Sequence, residues 1–141
     1  MNIRSAESTD AEKLVELFQQ LGYANEINAL TERLQVRFAG RDDQVFVAEA
    51  ESKILGVLVV NYIRPLHEQG IWAMISALVV DQSLRSKGVG AALLAHTERH
   101  VAEMGCTHME LSSSESRTRA HEFYLRHGFA EVRKRFVRRY V

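Results

Sequence analysis

Residues 71–104 read IWAMISALVVDQSLRSKGVGAALLAHTERHVAEM, and the rest of the chain is arranged around this stretch. Its first ten residues are apolar apart from one serine and rich in β-branched and aromatic side chains, as in a strand buried on both faces. A basic turn with two glycines follows, and from Ala91 the sequence is typical of a helix that Gly105 can close. The stretch therefore predicts a strand, a tight turn and a long helix whose N-terminus faces solvent beside cations.

The turn has the features of an anion-binding site. The first N–H groups of a helix have no internal partner and carry the positive end of the helix dipole. Gly88 and Gly90 remove side chains that would keep a phosphate away from the backbone, and Arg85 and Lys87 add positive charge. A nucleotide P-loop is excluded because the lysine precedes the glycine, and a dinucleotide fingerprint because Leu93 stands where a small residue is needed.

The pattern Arg-x-x-Gly-x-Gly over residues 85–90, directly after a strand ending in Leu-Val-Val, resembles the acetyl-CoA pyrophosphate loop of the GNAT (GCN5-related N-acetyltransferase) family. A second block, AHEFYLRHGF at residues 120–129, is also similar, and the resemblance covers nearly the whole chain. The C-terminal half is most similar to the aminoalkylphosphonate N-acetyltransferase group. The resemblance implies an α/β (α+β) fold with a mostly antiparallel central sheet flanked by helices and a parallel strand pair at the cofactor cleft.

Length and composition limit the class of protein. The 141 residues suit one domain over residues 1–141, and 46% hydrophobic with 26% charged residues is typical of a soluble globular protein. Eighteen basic residues balance eighteen acidic ones, so net charge favours neither nucleic acid nor membrane as a partner. No signal-peptide pattern is present, and Cys106 alone cannot form an internal disulfide. We therefore expect a cytoplasmic protein, and a homodimer is left open.

Other segments predict the elements around the central strand and helix. Thr9 and Glu12 match a capping box that would begin a helix, and Gly22 is placed to end it. The polar run 112–116 could cap the helix that Gly128 closes. The remaining predictions are a first strand at 2–4, a weaker helix through Ile27, Leu30 and Leu34, a turn cluster at 39–43, a hairpin of strands 45–50 and 54–62, a strand at 106–111 parallel to the central one, and a final strand at 131–141.

The resemblance to the family implies a donor site made of several parts. It places the pyrophosphate on the backbone amides from Ser86 to Ala91, with the side chains of Arg85 and Lys87 nearby. It implies that a bulge in the central strand frees backbone groups for the acetyl and pantetheine amides. The candidate cofactor-binding residues are Leu78, Val79, Val80, Arg85, Ser86, Lys87, Gly88, Val89, Gly90, Ala91, Ser113 and Tyr124.

Tyr124 is the candidate catalytic residue, because it stands at the matching place in the Phe-Tyr pair of the second block. The resemblance implies that its phenol, with an ordinary pKa near 10, protonates a thiolate whose acid has a pKa of about 8.5. The alternative is a ring that only packs in the core. Ser112 and Ser113 stand near the place where many relatives carry an asparagine that contacts the pantetheine arm.

The general base stays open. Many relatives have a carboxylate on the central strand just before Leu-x-Val, where this chain has Ser76 and Ala77. The candidates that remain are Glu110, His121, His67 and Glu68.

We expect a transfer of acetyl from acetyl-CoA, the cosubstrate, to a primary amine of a small molecule. The resemblance favours an amine with an anionic group, which an arginine of the final strand could bind. The alternatives are a non-catalytic acyl-CoA sensor, an interaction module, or a protein lysine or N-terminal amine as acceptor.

The histidines and the basic residues near the end of the sequence are both interpreted as structural. The six histidines are scattered, and His96 with His100 lacks the glutamate of a His-Glu-x-x-His zinc site, so we expect a surface pair and no metal. The basic residues of 133–139 indicate a protected edge strand rather than a nucleic-acid site.

Overall fold

A five-stranded sheet in the order β1-β2-β3-β4-β5 forms the centre of the computed structural model, which describes residues 1–37, 42–85 and 87–141. The first four strands pair antiparallel and β4 runs parallel to β5, which confirms the predicted mixed sheet. The strands are β1 (Asn2–Ser5), β2 (Gln44–Ala50), β3 (Lys53–Ile63), β4 (Trp72–Val80) and β5 (His108–Leu111), and the helices are α1 (Ala11–Leu21), α2 (Ile27–Arg37), α3 (Val89–Glu103) and α4 (Thr118–Arg126).

Helices cover the sheet on both faces, and β4 contributes apolar side chains to each of them. Ala77 and Val79 pack with α1 and α2, so we call this side the α1 face. Ala73 and Ile75 pack on the opposite side with α3, which we call the α3 face. Burial of these two apolar layers is the main source of stability, at roughly 25 cal/mol for each Å² removed from water.

Gly56 of β3 allows α3 to approach the sheet at its first turn. A Cβ atom at this position would lie 2.9 Å from the carbonyl oxygen of Val79 and 3.1 Å from the Val89 side chain. Only glycine fits without a shift of the backbone. The start of α3 is thereby held close to the end of β4.

Two polar contacts tie α1 to the loop that follows β4. Lys13 Nζ lies 2.7 Å from Asp81 Oδ2, and the Gln82 backbone N–H donates to Gln20 Oε1 at 2.9 Å. The hydrogen bond from Lys13 lowers the pKa of Asp81 from 3.8 to about 2, and the backbone N–H of Ser83 contributes to the same shift. The loop between β4 and α3 is therefore fixed to a helix of the α1 face.

The predicted capping box of Thr9 and Glu12 was wrong. Residues Ser8–Asp10 form a 3-10 turn instead, and the Glu7 backbone N–H donates to Asp10 Oδ2 at 2.8 Å. Asp10 is buried because it also forms an ion pair with Arg4, at 2.8 Å, and this pairing lowers its pKa. Asp10 rather than Thr9 therefore makes the capping contact, because Arg4, six residues earlier, also holds its carboxylate.

The hairpin of β2 and β3, both α1 and α2, and the helix ends at Gly22 and Gly128 were predicted correctly. The predicted cap in 112–116 was wrong, because α4 has Arg117 at its N-cap and no side chain caps it. Of the turn cluster at 39–43, residues 39–41 lie outside the described residues.

The final strand predicted at 131–141 was also wrong. These residues carry no regular secondary structure and all are exposed. In an extended strand, Val132, Phe136 and Tyr140 would lie on one face. Lys134 and Arg138 would lie between them on that same face. A face that alternates apolar and charged residues gains little from burial, so the predicted edge strand is not formed.

His96 and His100 do not form the expected surface pair. Both are half-buried on α3, and their rings lie 4.6 and 5.6 Å from the Phe46 ring. His100 Nδ1 and the Tyr62 hydroxyl are hydrogen-bonded at 2.5 Å, and burial lowers the pKa of His96. Among the described residues, no helix is long and apolar enough to cross a membrane.

Candidate active site

The turn before α3 presents an open helix N-terminus. Gly88 is the N-cap residue with φ of +82°, and no side chain caps the helix there. A Cβ atom added to Gly88 would meet nothing within 4 Å, so the space before the first turn is free. Arg85 and Lys87 are exposed beside it, while Ser86 lies outside the described residues. The turn can therefore receive an anion on backbone N–H groups.

The central strand β4 has a bulge, as the sequence predicts, but its position is Ser76. Val59 and Val60 of β3 pair with Ala77 and Ile75, so Ser76 is the extra residue. Leu78, Val79 and Val80, whose backbone groups the bulge was expected to free, pair regularly with β3 on one side.

The cleft beside β4 begins where β5 ends. The parallel pairing of β4 and β5 stops at Ile75 and Leu111, one residue before the bulge. On that side, residues 76–80 of β4 extend past β5. Their backbone groups can therefore pair with an extended ligand in place of a strand.

Helix α4 lies against the start of α3. A Cβ atom on Gly90 would be 3.4 Å from the Phe123 ring and 3.6 Å from Val80, so Gly90 sits between the end of β4 and α4. The chain after α4 turns back through Gly128, and the Phe129 N–H donates to the Tyr124 carbonyl oxygen at 3.0 Å. The block at 120–129 therefore closes one side of the turn before α3.

Tyr124 is half-buried next to Phe123, with its ring 5.7 Å from the Phe129 ring. Burial raises the pKa of its phenol above 10.0, and the nearby charge of Arg117 opposes this shift in part. The hydroxyl is consequently protonated at neutral pH. Tyr124 has the chemistry of a proton donor and cannot serve as a base there.

A group of polar and aromatic side chains occupies the α1 face of β4 and β5. Met109 and Leu111 of β5 pack on the α3 face, so His108 and Glu110 project from the α1 face. His108 Nε2–H donates to Glu110 Oε2 at 2.9 Å, and the His108 ring lies 5.4 Å from the Trp72 ring. The Ser76 hydroxyl, on the same face, donates to Asn61 Oδ1 at 2.6 Å.

The candidate bases differ in what they contact. His121 Nε2–H donates to the Ser114 carbonyl oxygen at 2.7 Å, so this histidine joins α4 to the preceding loop. Glu68 accepts the indole N–H of Trp72, and the exposed His67 ring lies edge-on to that indole at 5.8 Å. Glu110 alone of these four lies on a strand that borders the cleft.

The other predicted site residues are placed as follows. Ser112 is exposed and Ser113 half-buried, directly after the end of β5. The arginines of 131–141 are exposed and belong to no strand, so the structure does not bring them into the sheet. Among the described residues, no group of three or more His, Cys, Asp or Glu side chains could hold a metal ion.

Comparison with known proteins agrees with this geometry. A family model described as the Acetyltransferase (GNAT) family matches residues 9–129. The chain belongs to this family. The GNAT assignment confirms the predicted family resemblance, and acetyl-CoA is the cosubstrate of that family.

Among curated proteins, the aminoalkylphosphonate N-acetyltransferase of Salmonella typhimurium is 30% identical to this GNAT chain over 92 residues. The match spans 65% of this chain and 60% of that protein. This match agrees with the predicted likeness to the aminoalkylphosphonate N-acetyltransferase group.

Two solved structures share the GNAT fold. A transcriptional regulator from Bacillus halodurans superposes with a TM-score of 0.89 at 21% identity, over 99% of both chains. An aminoglycoside N-acetyltransferase in complex with CoA gives a TM-score of 0.86 at 20% identity, over 99% of this chain and 93% of that one. At these identities the likeness shows the fold alone.

Proposed function

We propose that this GNAT chain moves an acetyl group from acetyl-CoA to a primary amine of a small molecule. The observation that carries the proposal is the end of the β4–β5 pairing at Ile75 and Leu111, past which β4 continues to Val80. The open N-terminus of α3 lies at one end of this cleft, and α4 with Tyr124 lies beside it. These are the parts that thioester binding and thiolate protonation require.

Each part has a role in the proposed transfer. Backbone N–H groups of the first turn of α3 bind the pyrophosphate, and Arg85 and Lys87 add attraction. Backbone groups of 78–80 hold the pantetheine arm and polarise the thioester carbonyl. Acetyl-CoA, when bound, supplies the activated acetyl group. Tyr124 gives its proton to the departing sulfur.

A cavity between α1, α2 and the sheet is our candidate for the body of the acceptor. Its volume is about 160 Å³, its wall includes Phe18, Leu30 and Val59, and Arg33 adds a positive charge. Val59 pairs with Ala77, so the cavity borders the bulge of β4. Arg33 Nη2 donates to Asn25 Oδ1 at 2.5 Å, which leaves other guanidinium N–H groups for a ligand. A small amine that carries an anionic group fits this wall.

Turnover of an amine panel tests the proposal. Aminomethylphosphonate, spermidine, an aminoglycoside and a lysine peptide are compared by kcat/KM, with CoA thiol release as the signal. We expect aminomethylphosphonate to rank first. Arg33→Met should raise its KM about tenfold or more, because a charge-assisted contact is lost, while Arg135→Met in the exposed tail should change nothing.

The possible failures are distinct. A preference for spermidine would refute the anionic acceptor and leave the acetyl transfer intact. No thiol release with any amine, together with a melting temperature that rises in acetyl-CoA, would favour the non-catalytic sensor.

A further inference from the structure

An alkylamine acceptor needs a base, and β4 does not provide one. At pH 7 an amine with a pKa of about 10.4 is neutral in only about one molecule in two thousand. Ser76 and Ala77 occupy the places on β4 from which many relatives present a carboxylate, and both side chains lack proton affinity. The proton of the ammonium group must leave by another route.

Glu110 is the carboxylate that lies closest in register to those two places. It pairs with Met74 across the parallel β4–β5 ladder, one pair before the last one, Ile75 with Leu111. Glu110 shares the α1 face with its partner Met74. Ser76 faces the same side, because its hydroxyl donates to Asn61, whose neighbours Val60 and Tyr62 pack on the α3 face. A glutamate side chain on β5 can thus reach the space in front of Ser76.

His108 holds one side of this carboxylate. Its Nε2–H donates to Glu110 Oε2 at 2.9 Å, and Glu110 Oε1 makes no hydrogen bond to any residue that the structure describes. His108 is itself held by the Trp72 ring at 5.4 Å and by Thr107 Oγ1, 3.2 Å from its Nδ1. One carboxylate oxygen is therefore fixed, and the other is available to an ammonium group.

Few other charges face this pair. The two residues of β4 that pair with His108 and Glu110 are Trp72 and Met74, neither of which titrates. The loop before β4 adds His67 and Glu68, both of which contact Trp72. Other charged side chains that the structure describes on the α1 face are Asp43, which accepts a hydrogen bond from Asn61 at 3.3 Å, Arg33 of α2, and the Lys13–Asp81 ion pair at the far end of β4. The described titratable groups closest to the pair along the chain are His67 and Glu68, behind the indole.

We infer that Glu110 is the proton acceptor for the amine and that His108 is its positioning residue. The inference rests on the proposed function. Glu110 takes one proton from the ammonium group and passes it to water, and the neutral nitrogen forms the N–C bond with the acetyl carbonyl carbon. The C–S bond then breaks with its electron pair on sulfur. Tyr124 gives its proton to that sulfur, nitrogen loses its second proton to water, and Tyr124 regains a proton from water, so one proton is released for each acetyl group transferred.

Glu110→Gln tests the inference, with the best amine of the four-member panel above. At pH 7 we expect kcat/KM to fall about a hundredfold or more, since general bases contribute 10²- to 10⁴-fold. Glu110→Asp should retain more activity than Glu110→Gln, because it keeps a carboxylate. His108→Gln should cost less, about tenfold. Glu68→Gln, in the loop before β4, is the control and should behave as the parent protein.

The pH profile separates a base from a structural residue. In the parent protein, kcat/KM should level off well below the pKa of the amine. In Glu110→Gln it should keep rising about tenfold per pH unit, because only amine that is already neutral can react. The melting-temperature increase in acetyl-CoA should be the same in both proteins.

Two outcomes would overturn the inference while the proposed function stands. One is a parent protein that turns over an amine with Glu110→Gln equally active. The other is a loss in Glu110→Gln that Glu68→Gln reproduces, with the pH profile unchanged in shape. A parent protein that releases no thiol with any of the four amines would instead refute the proposed function, and this inference with it.

Discussion

The hydroxyl of Tyr124 can be removed without disturbing the packing of its ring, which Phe123 and Phe129 hold from two sides. We predict that Tyr124→Phe keeps its fold and its affinity for CoA but lowers kcat. Since a thiolate is a tolerable leaving group, the loss should be about tenfold to a few hundredfold, near the lower part of the range for general acids. Steady-state kinetics would show this. Tyr62→Phe is the control, because Tyr62 is hydrogen-bonded to His100 on the α3 face and away from the cleft. A change confined to the KM of the amine would mean that Tyr124 orients the acceptor, and no change would make it a packing residue.

Helix α3, which follows β4 and its loop, is flanked by two glycines with positive φ. Substituting each of them in turn gives a paired test. Gly88 at the start has φ of +82° and Gly105 just after the end has +72°, and neither has a neighbour within 4 Å of an added Cβ atom. Valine at either place should cost about 1–2 kcal/mol of backbone strain. Only Gly88→Val should also lose the stabilisation by CoA, which is about 2.7 kcal/mol at a hundredfold excess over Kd. Thermal melting with and without CoA measures both effects. Equal stabilisation of the two variants by CoA would remove the turn from the donor site.

Low pH should reduce the free energy of unfolding, because it protonates carboxylates that form ion pairs in the folded protein. Asp81 has its pKa lowered from 3.8 to about 2 by Lys13, and Arg4 lowers that of Asp10. Between about pH 4 and 2 the unfolded chain binds more protons than the folded one, so the free energy of unfolding must fall as the pH falls. We predict that Asp81→Asn is less stable than the parent protein at pH 7 and loses less between pH 4 and 3. Urea unfolding at each pH would show it. Glu16→Gln, which removes the more exposed partner of Lys13, should keep the parent's pH dependence.

Strong local patterns carried most of the correct predictions. The apolar run of β4, the glycines of the turn and the Phe-Tyr block each predict their element without knowledge of the remaining chain. The α1 and α2 helices followed from apolar spacing, and the hairpin from two apolar runs with a short connection. These signals are local because backbone geometry and burial on one face determine them.

The failed predictions depend on contacts that the local motif does not contain. Thr9 has the right spacing for a cap, but Arg4 draws Asp10 into the capping position. The bulge at Ser76 depends on where β3 and β5 pair with β4. The pairing of His108 with Glu110 on the cleft side appears only once β5 is placed beside β4. A signal for Glu110 did exist, since it is a carboxylate in a strand next to the donor strand.

The contacts that fix α1 have a consequence for how the specificity for the amine acceptor could change. Besides its contacts with Asp81 and Gln82, α1 accepts a hydrogen bond from the Arg117 side chain at its last carbonyl, that of Leu21. A substitution that moved α1 would therefore disturb both the donor loop and α4. Helix α2 packs mainly on α1 and the first 3-10 turn, and it supplies Arg33 to the cavity wall. Substitutions can accordingly accumulate in α2 and change the preferred amine without loss of acetyl-CoA binding. A directed-evolution library for altered specificity should therefore target α2.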